Sequence, residues 1–180
     1  MIIEETNLSG LYIIRSEPIS DDRGFFMRTC CDESFRKFGL NTVWAQENLS
    51  YNKLRGTLRG LHYQQAPDQE IKLVQCVHGS IFDVVVDIRP ESSTYKEWYG
   101  IELTVESGIS MYIPKGFAHG FQTLTDDATV YYHMSQQYIK KHSVGINYKD
   151  PSIGIEWPIN TTTISDRDRN LPFLEKIQGN

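Results

Sequence analysis

The feature that most constrains this chain is a run of short, evenly spaced strand candidates through its middle. In Ser80-Ile81-Phe82-Asp83-Val84-Val85-Val86-Asp87-Ile88-Arg89 apolar residues fall at 82, 84, 86 and 88, with Asp at 83 and 87. A period of two reads as a strand with one face in a core, and Pro90 followed by Glu91-Ser92-Ser93 ends it. Similar segments run from Lys72 to Val77, Glu97 to Val105, Ile109 to Ile113 and Ala128 to Met134. Gly79, Ser107-Gly108 and Asp126-Asp127 supply turn chemistry between them. Helical signal is weak: Asp32 to Phe38 forms two turns stopped at Gly39, and a second short helix near the C-terminus is unmarked. The pattern predicts an all-β fold, a jelly roll or β-sandwich barrel with one or two short helices. No repeat, low-complexity tract or linker divides the 180 residues, so a single domain spanning 1–180 is expected.

Composition narrows the functional classes. At 39% hydrophobic and 12% aromatic the chain is too apolar for a disordered one. Its 18 Lys plus Arg against 23 Asp plus Glu give a net charge of −5, which argues against nucleic acid as a partner. No run approaches the roughly 18 apolar residues that span a bilayer. The opening MIIEETNLSG carries acidic residues where a secretory signal would be basic, so a soluble cytoplasmic protein is expected. Cys30, Cys31 and Cys76 are an odd set without a CxxC pair, which implies neither a disulfide framework nor a zinc finger.

Three segments place polar residues where strands would bury them. Arg59 and His62 sit within Leu58-Arg59-Gly60-Leu61-His62-Tyr63-Gln64, Lys72 is bracketed by aliphatics, and His119 lies between aromatic and small residues in Phe117-Ala118-His119-Gly120-Phe121. One such residue is usually a satisfied core group. Three such segments in one small all-β domain imply a polar pocket inside the barrel, because unpaired buried charge is costly. Pro-x-Gly-x-x-His ending at His119, with Gly60-x-His62 upstream, resembles the two cupin motifs. Metal-binding cupins offer His-x-His and a carboxylate, whereas here Gln64 follows His62 and no Glu lies between Gln64 and Glu70. The reading is therefore a site without metal, in which His62 serves as an acid–base group.

The residues then match a family. Asp22-Arg23-Gly24-Phe25-Phe26, Gln46-Glu47-Asn48-Leu49-Ser50, Leu58 to Gln64, Lys72-Leu73-Val74, Ile113 to Phe121, Asp150 to Pro158 and Ile164-Ser165-Asp166-Arg167-Asp168 run collinearly along nearly the whole chain. By them the chain resembles the dTDP-4-dehydrorhamnose 3,5-epimerases and relatives that epimerise nucleotide-linked 4-keto-6-deoxy sugars on a cupin-like fold. The resemblance implies His62 as base, Asp168 as its carboxylate partner, Tyr132 as proton donor on the opposite face and Lys72 beside the enolate oxygen. It further implies Arg23, Arg59 and Arg167 on the diphosphate, Gln46, Asn48 and His119 as polar contacts, and Tyr138 stacked on the base. It implies no cofactor, and the absence of a glycine-rich dinucleotide fingerprint agrees. It also implies homodimers that share strands and complete each other's pockets. Leu11-Tyr12-Ile13-Ile14 is the segment expected to pair.

Three positions depart from the family pattern: Arg28 and Ser143 stand where acidic residues are common, and His133 where Lys is usual. The first two belong to the nucleotide end, so the expectation is weakened selection of thymidine, with a CDP-linked sugar as the alternative. Inversion at C3 only or C5 only also stays open. A non-catalytic sugar-nucleotide binding module is disfavoured, since binding alone needs neither acid nor base.

Overall fold

A computed structural model describes residues 1–175; the last five residues of the expected single domain lie outside the described residues. The strands are β1 (Ile2–Glu5), β2 (Tyr12–Arg15), β3 (Ile19–Asp21), β4 (Gly24–Phe26), β5 (Gln46–Asn52), β6 (Thr57–Gln64) and β7 (Lys72–His78). They continue as β8 (Ser80–Asp87), β9 (Trp98–Thr104), β10 (Ile109–Ile113), β11 (Phe117–Thr123), β12 (Ala128–Met134), β13 (Ser143–Gly145) and β14 (Thr163–Ile164). Helices α1 (Asp32–Lys37) and α2 (Asp166–Arg169) are both short. One antiparallel sheet runs β1-β2-β10-β7-β12-β5. The other runs β13-β6-β11-β8-β9, with β14 laid parallel on β6, and among the described residues β3 and β4 pair only with each other. The two large sheets form the cupin-like β-sandwich that the strand pattern predicted.

Ile13, Val74, Met111 and Val130 from the first sheet meet Ile81, Val85, Leu103, Phe117 and Phe121 from the second in one core. Each such side chain contributes about 1.5–3 kcal/mol when fully buried. The expected orientation of β8 is reversed. Ile81 and Val85 face this core and share their strand face with Asp83 and Asp87, both 0% exposed. Val86 and Ile88 point outward, where Leu61, Ala118, Ile146, Ile153 and Leu174 cover them. A C-terminal layer that needs an apolar surface therefore took the regular apolar stripe. The aspartates survive inside because each is hydrogen-bonded. Burial works to raise the Asp87 pKa, but donors from Arg89, Ser92 and Thr94 outweigh it and hold the carboxyl at about 2.

The run 11–14 is also not a free pairing edge. β2 lies between β1 and β10, and Leu11, Ile13 and Ile14 are buried. The exposed elements are elsewhere. No strand residue of the β3–β4 hairpin is buried, with Phe26 70% exposed, and the edge strand β5 shows Leu49 at 65%. Among the described residues no helix is long and apolar enough to cross a membrane.

Candidate active site

The site begins with glycine. Gly60 adopts φ +127°, and a Cβ there would come within 2.5 Å of Gly120 Cα, so only glycine lets β6 and β11 approach this closely. The Gly60 N–H donates to Asp168 Oδ2 at 3.1 Å. Asp168 is carried by α2, whose N-cap Ser165 accepts the Asp168 N–H at 3.0 Å. Ser165-x-x-Asp168 has capping-box spacing, but the carboxylate is spent elsewhere: Oδ1 lies 2.7 Å from His62 Nε2. Burial works to raise the Asp168 pKa, yet His62, the Gly60 N–H and the nearby Arg167 charge overcome it and keep the carboxyl ionised. An ionised carboxylate only accepts, so Nε2 carries the imidazole hydrogen and Nδ1 is left as the basic nitrogen.

His62, Tyr132 and Lys72 line two chambers in common, a smaller, more enclosed inner one and a larger, more open outer one. The inner one, about 210 Å³, also takes in Arg59, His119 and Asp168. The outer one, about 390 Å³, is bordered by Gln46, Asn48, Tyr138, Ser143, Arg167 and the unforeseen Glu70. His62 arrives on β6 and Tyr132 on β12, so imidazole and phenol enter from opposite sheets. Burial raises the Tyr132 pKa despite the opposing Arg59 charge, so the phenol keeps its proton at neutral pH. Lys72, on β7, donates from Nζ to the His62 carbonyl at 3.2 Å and lies 3.2 Å from Glu70 Oε1.

The surrounding residues follow from the strand register. His119 sits directly across from His62 in the β6–β11 pair, and its Nε2 is 2.7 Å from Asp83 Oδ1. Of the charges expected inside, Lys72 and His119 are buried and His62 half-buried, whereas Arg59 is exposed. Arg59 reaches along the cavity wall, its Nε donating to Asn52 at 2.7 Å. Gln46 accepts the Tyr138 N–H at 2.8 Å, which seats that half-exposed ring at the mouth. Arg167 donates to the Ser143 hydroxyl at 3.2 Å, so a cation and a hydroxyl share one corner. Gln64 fastens the rim: it donates to the carbonyls of Asp68 and Gln137 and accepts from Ile139 N. Among the described residues no three His, Cys, Asp or Glu side chains converge to hold a metal ion.

Two expected site residues stand apart. Arg23 extends from the hairpin, paired with Asp21, and Arg28 borders a separate hollow near Phe26 and Cys31. Neither lines the chambers of its own chain. Sequence reasoning missed Asp83 and Glu70. The signal for Asp83 was present, an aspartate inside the most apolar strand, and Glu70 lies two residues before a lysine already marked as costly.

Comparison with known proteins agrees with this geometry. The dTDP-4-dehydrorhamnose 3,5-epimerase family model matches residues 5–176. A protein of that name from Methanothermobacter thermautotrophicus is 43% identical over 175 residues, 96% of this chain and 94% of its own. The structure of a dTDP-6-deoxy-D-glucose-3,5-epimerase from Legionella pneumophila, in complex with dTDP-4-keto-L-rhamnose, superposes with a TM-score of 0.92. It is 35% identical, covering 98% of this chain and 94% of that one. A 3'-monoepimerase from Streptomyces bikiniensis, in complex with dTDP-quinovose, gives 0.90 at 35% identity, covering 96% and 88%. With a match in sequence and fold over nearly the whole chain, and an imidazole–carboxylate pair lining one chamber with a protonated phenol, the chain belongs to the dTDP-4-dehydrorhamnose 3,5-epimerase family.

Proposed function

We propose that this protein converts dTDP-4-dehydro-6-deoxyglucose to dTDP-4-dehydrorhamnose by inverting C3 and C5 through enolate intermediates. The carrying observation is the His62–Asp168 pair on one wall of a chamber whose other wall holds the Tyr132 phenol. The C4 ketone acidifies the hydrogens at C3 and C5. His62 Nδ1 takes one of them, the electron pair moves onto the C4 oxygen, and Lys72 donates to that oxygen. Tyr132 then returns a proton to the opposite face, which inverts the centre. His119 and Arg59 hold the inner end of the ligand. Gln46, Asn48, Tyr138, Ser143 and Arg167 receive the nucleoside diphosphate, Arg167 as a planar donor to phosphate. None of these steps calls on a metal or a nicotinamide.

Incubation with dTDP-4-keto-6-deoxyglucose in heavy water tests the reading. Deuterium should enter C3 and C5 of a rhamnose-configured product. Exchange at neither carbon would overturn the epimerase reading, and exchange at C3 alone would assign the protein to the monoepimerases.

The same reading requires a second copy of the chain. The β3–β4 hairpin carries Arg23 at its tip and leaves Phe25 and Phe26 in solvent, a poor use of aromatic residues in a lone chain. Among the described residues β5 pairs with β12 alone and is the open edge of its sheet, and it carries Gln46 and Asn48 at the cavity mouth. A partner's hairpin laid near that edge covers the aromatics and delivers arginine to the diphosphate end. Light scattering at micromolar concentration should give the mass of two chains. A monomer with full activity would refute this arrangement.

A further inference from the structure

We propose that Glu70 is a positioning residue for Lys72, holding the ammonium so that one N–H remains for the enolate oxygen. The inference rests on the epimerase reading above and deepens it. An ammonium has three donors. Lys72 commits one to the His62 carbonyl at 3.2 Å, its ammonium is ion-paired with Glu70 Oε1 at 3.2 Å, and the side chain lines both chambers. Both partners of the pair are almost fully withdrawn from water, with side-chain exposures of 9% for Lys72 and 4% for Glu70.

A pair kept for stability would look different. Burying two charges costs more than a hydrophobic replacement unless every remaining lone pair is satisfied. Here Glu70 Oε2 is buried with no hydrogen-bond partner among the described residues. The cost is carried at the wall of the reaction chamber, where a flexible four-carbon stem would otherwise let the ammonium swing. The segment bearing Glu70 is itself fixed: Gln64 holds the Asp68 carbonyl, and Ile71 N donates to Ser135 Oγ at 2.8 Å. Glu70 is thus a rigid post from which Lys72 is aimed. Its loss should act on the chemical step and leave the nucleotide end untouched.

The test is a double-mutant cycle on turnover of dTDP-4-keto-6-deoxyglucose, with dTDP affinity as the check on folding. Glu70→Ala should lower kcat by about tenfold to a hundredfold with KM and dTDP affinity nearly unchanged. Glu70→Gln, which keeps an acceptor in place, should lose less. In a Lys72→Met background, Glu70→Ala should lower kcat by less than about twofold, because the group it aims is gone. A Glu70→Ala enzyme with parental kcat, alongside a crippled Lys72→Met enzyme, would overturn this inference alone. An equal loss from Glu70→Ala in both backgrounds would also overturn it, showing a role in structure and not through Lys72. A Lys72→Met enzyme with parental kcat would overturn both the inference and the role of Lys72 on which it rests.

Discussion

His62→Ala should lower exchange and inversion at C3 and C5 by about a hundredfold to ten-thousandfold, the usual contribution of a placed acid–base group, while dTDP still binds. The expectation follows from the hydrogen-bond direction at the site. Asp168 is ionised and accepts from Nε2, which leaves the basic lone pair of the imidazole on Nδ1, and His62 lines the chamber. Alanine removes that lone pair without disturbing Tyr138, Gln46 or Arg167, which border the outer chamber. Proton exchange in heavy water, followed by NMR, reads the loss directly. Activity within a few-fold of the parent would exclude His62 as the base. Asp168→Asn should approach the same loss. An amide can donate to Nε2, which moves the imidazole hydrogen to Nδ1 and blocks the base.

The strands and the chemistry-bearing motifs were legible in the chain because both are local. Period-two alternation marked β7, β8, β9, β10 and β12 within a residue or two, and Gly39 ended α1 where expected. What was not legible depends on how the layers pack and on contacts distant in sequence. β8 shows the reason: alternation reveals that two faces differ, not which one meets the larger core. The C-terminal layer over Val86 and Ile88 settles that, and it comes from residues roughly 60 or more positions away. The partner of His119 lies 36 residues from it and the partner of His62 lies 106, distances at which no motif spacing operates. Arg23 and Arg28 fall outside the chambers for a different reason, since they sit on and just after the β3–β4 hairpin, which among the described residues pairs with neither large sheet. Gln64 was read as a missing metal ligand. Its amide instead ties together the two loops that border the cavity.

Tyr132→Phe should separate the two halves of the reaction. The ring packs against the main core, and phenylalanine preserves that packing. No hydrogen bond among the described residues uses the hydroxyl, so its removal should change stability little and remove only a proton donor. Burial keeps the parental phenol protonated at neutral pH, which is the state a donor requires. In the variant His62 can still withdraw a proton and Lys72 can still hold the enolate, but only the face of His62 can be reprotonated. Deuterium should therefore enter the sugar with retention of configuration, while the rate of inversion falls by about a hundredfold or more. NMR of the sugar ring in heavy water distinguishes these outcomes in one experiment, because exchange and configuration are read at the same carbon. Inversion at the parental rate would show that water, and not Tyr132, supplies the second proton. Joint loss of exchange and inversion would place the phenol in enolate formation itself.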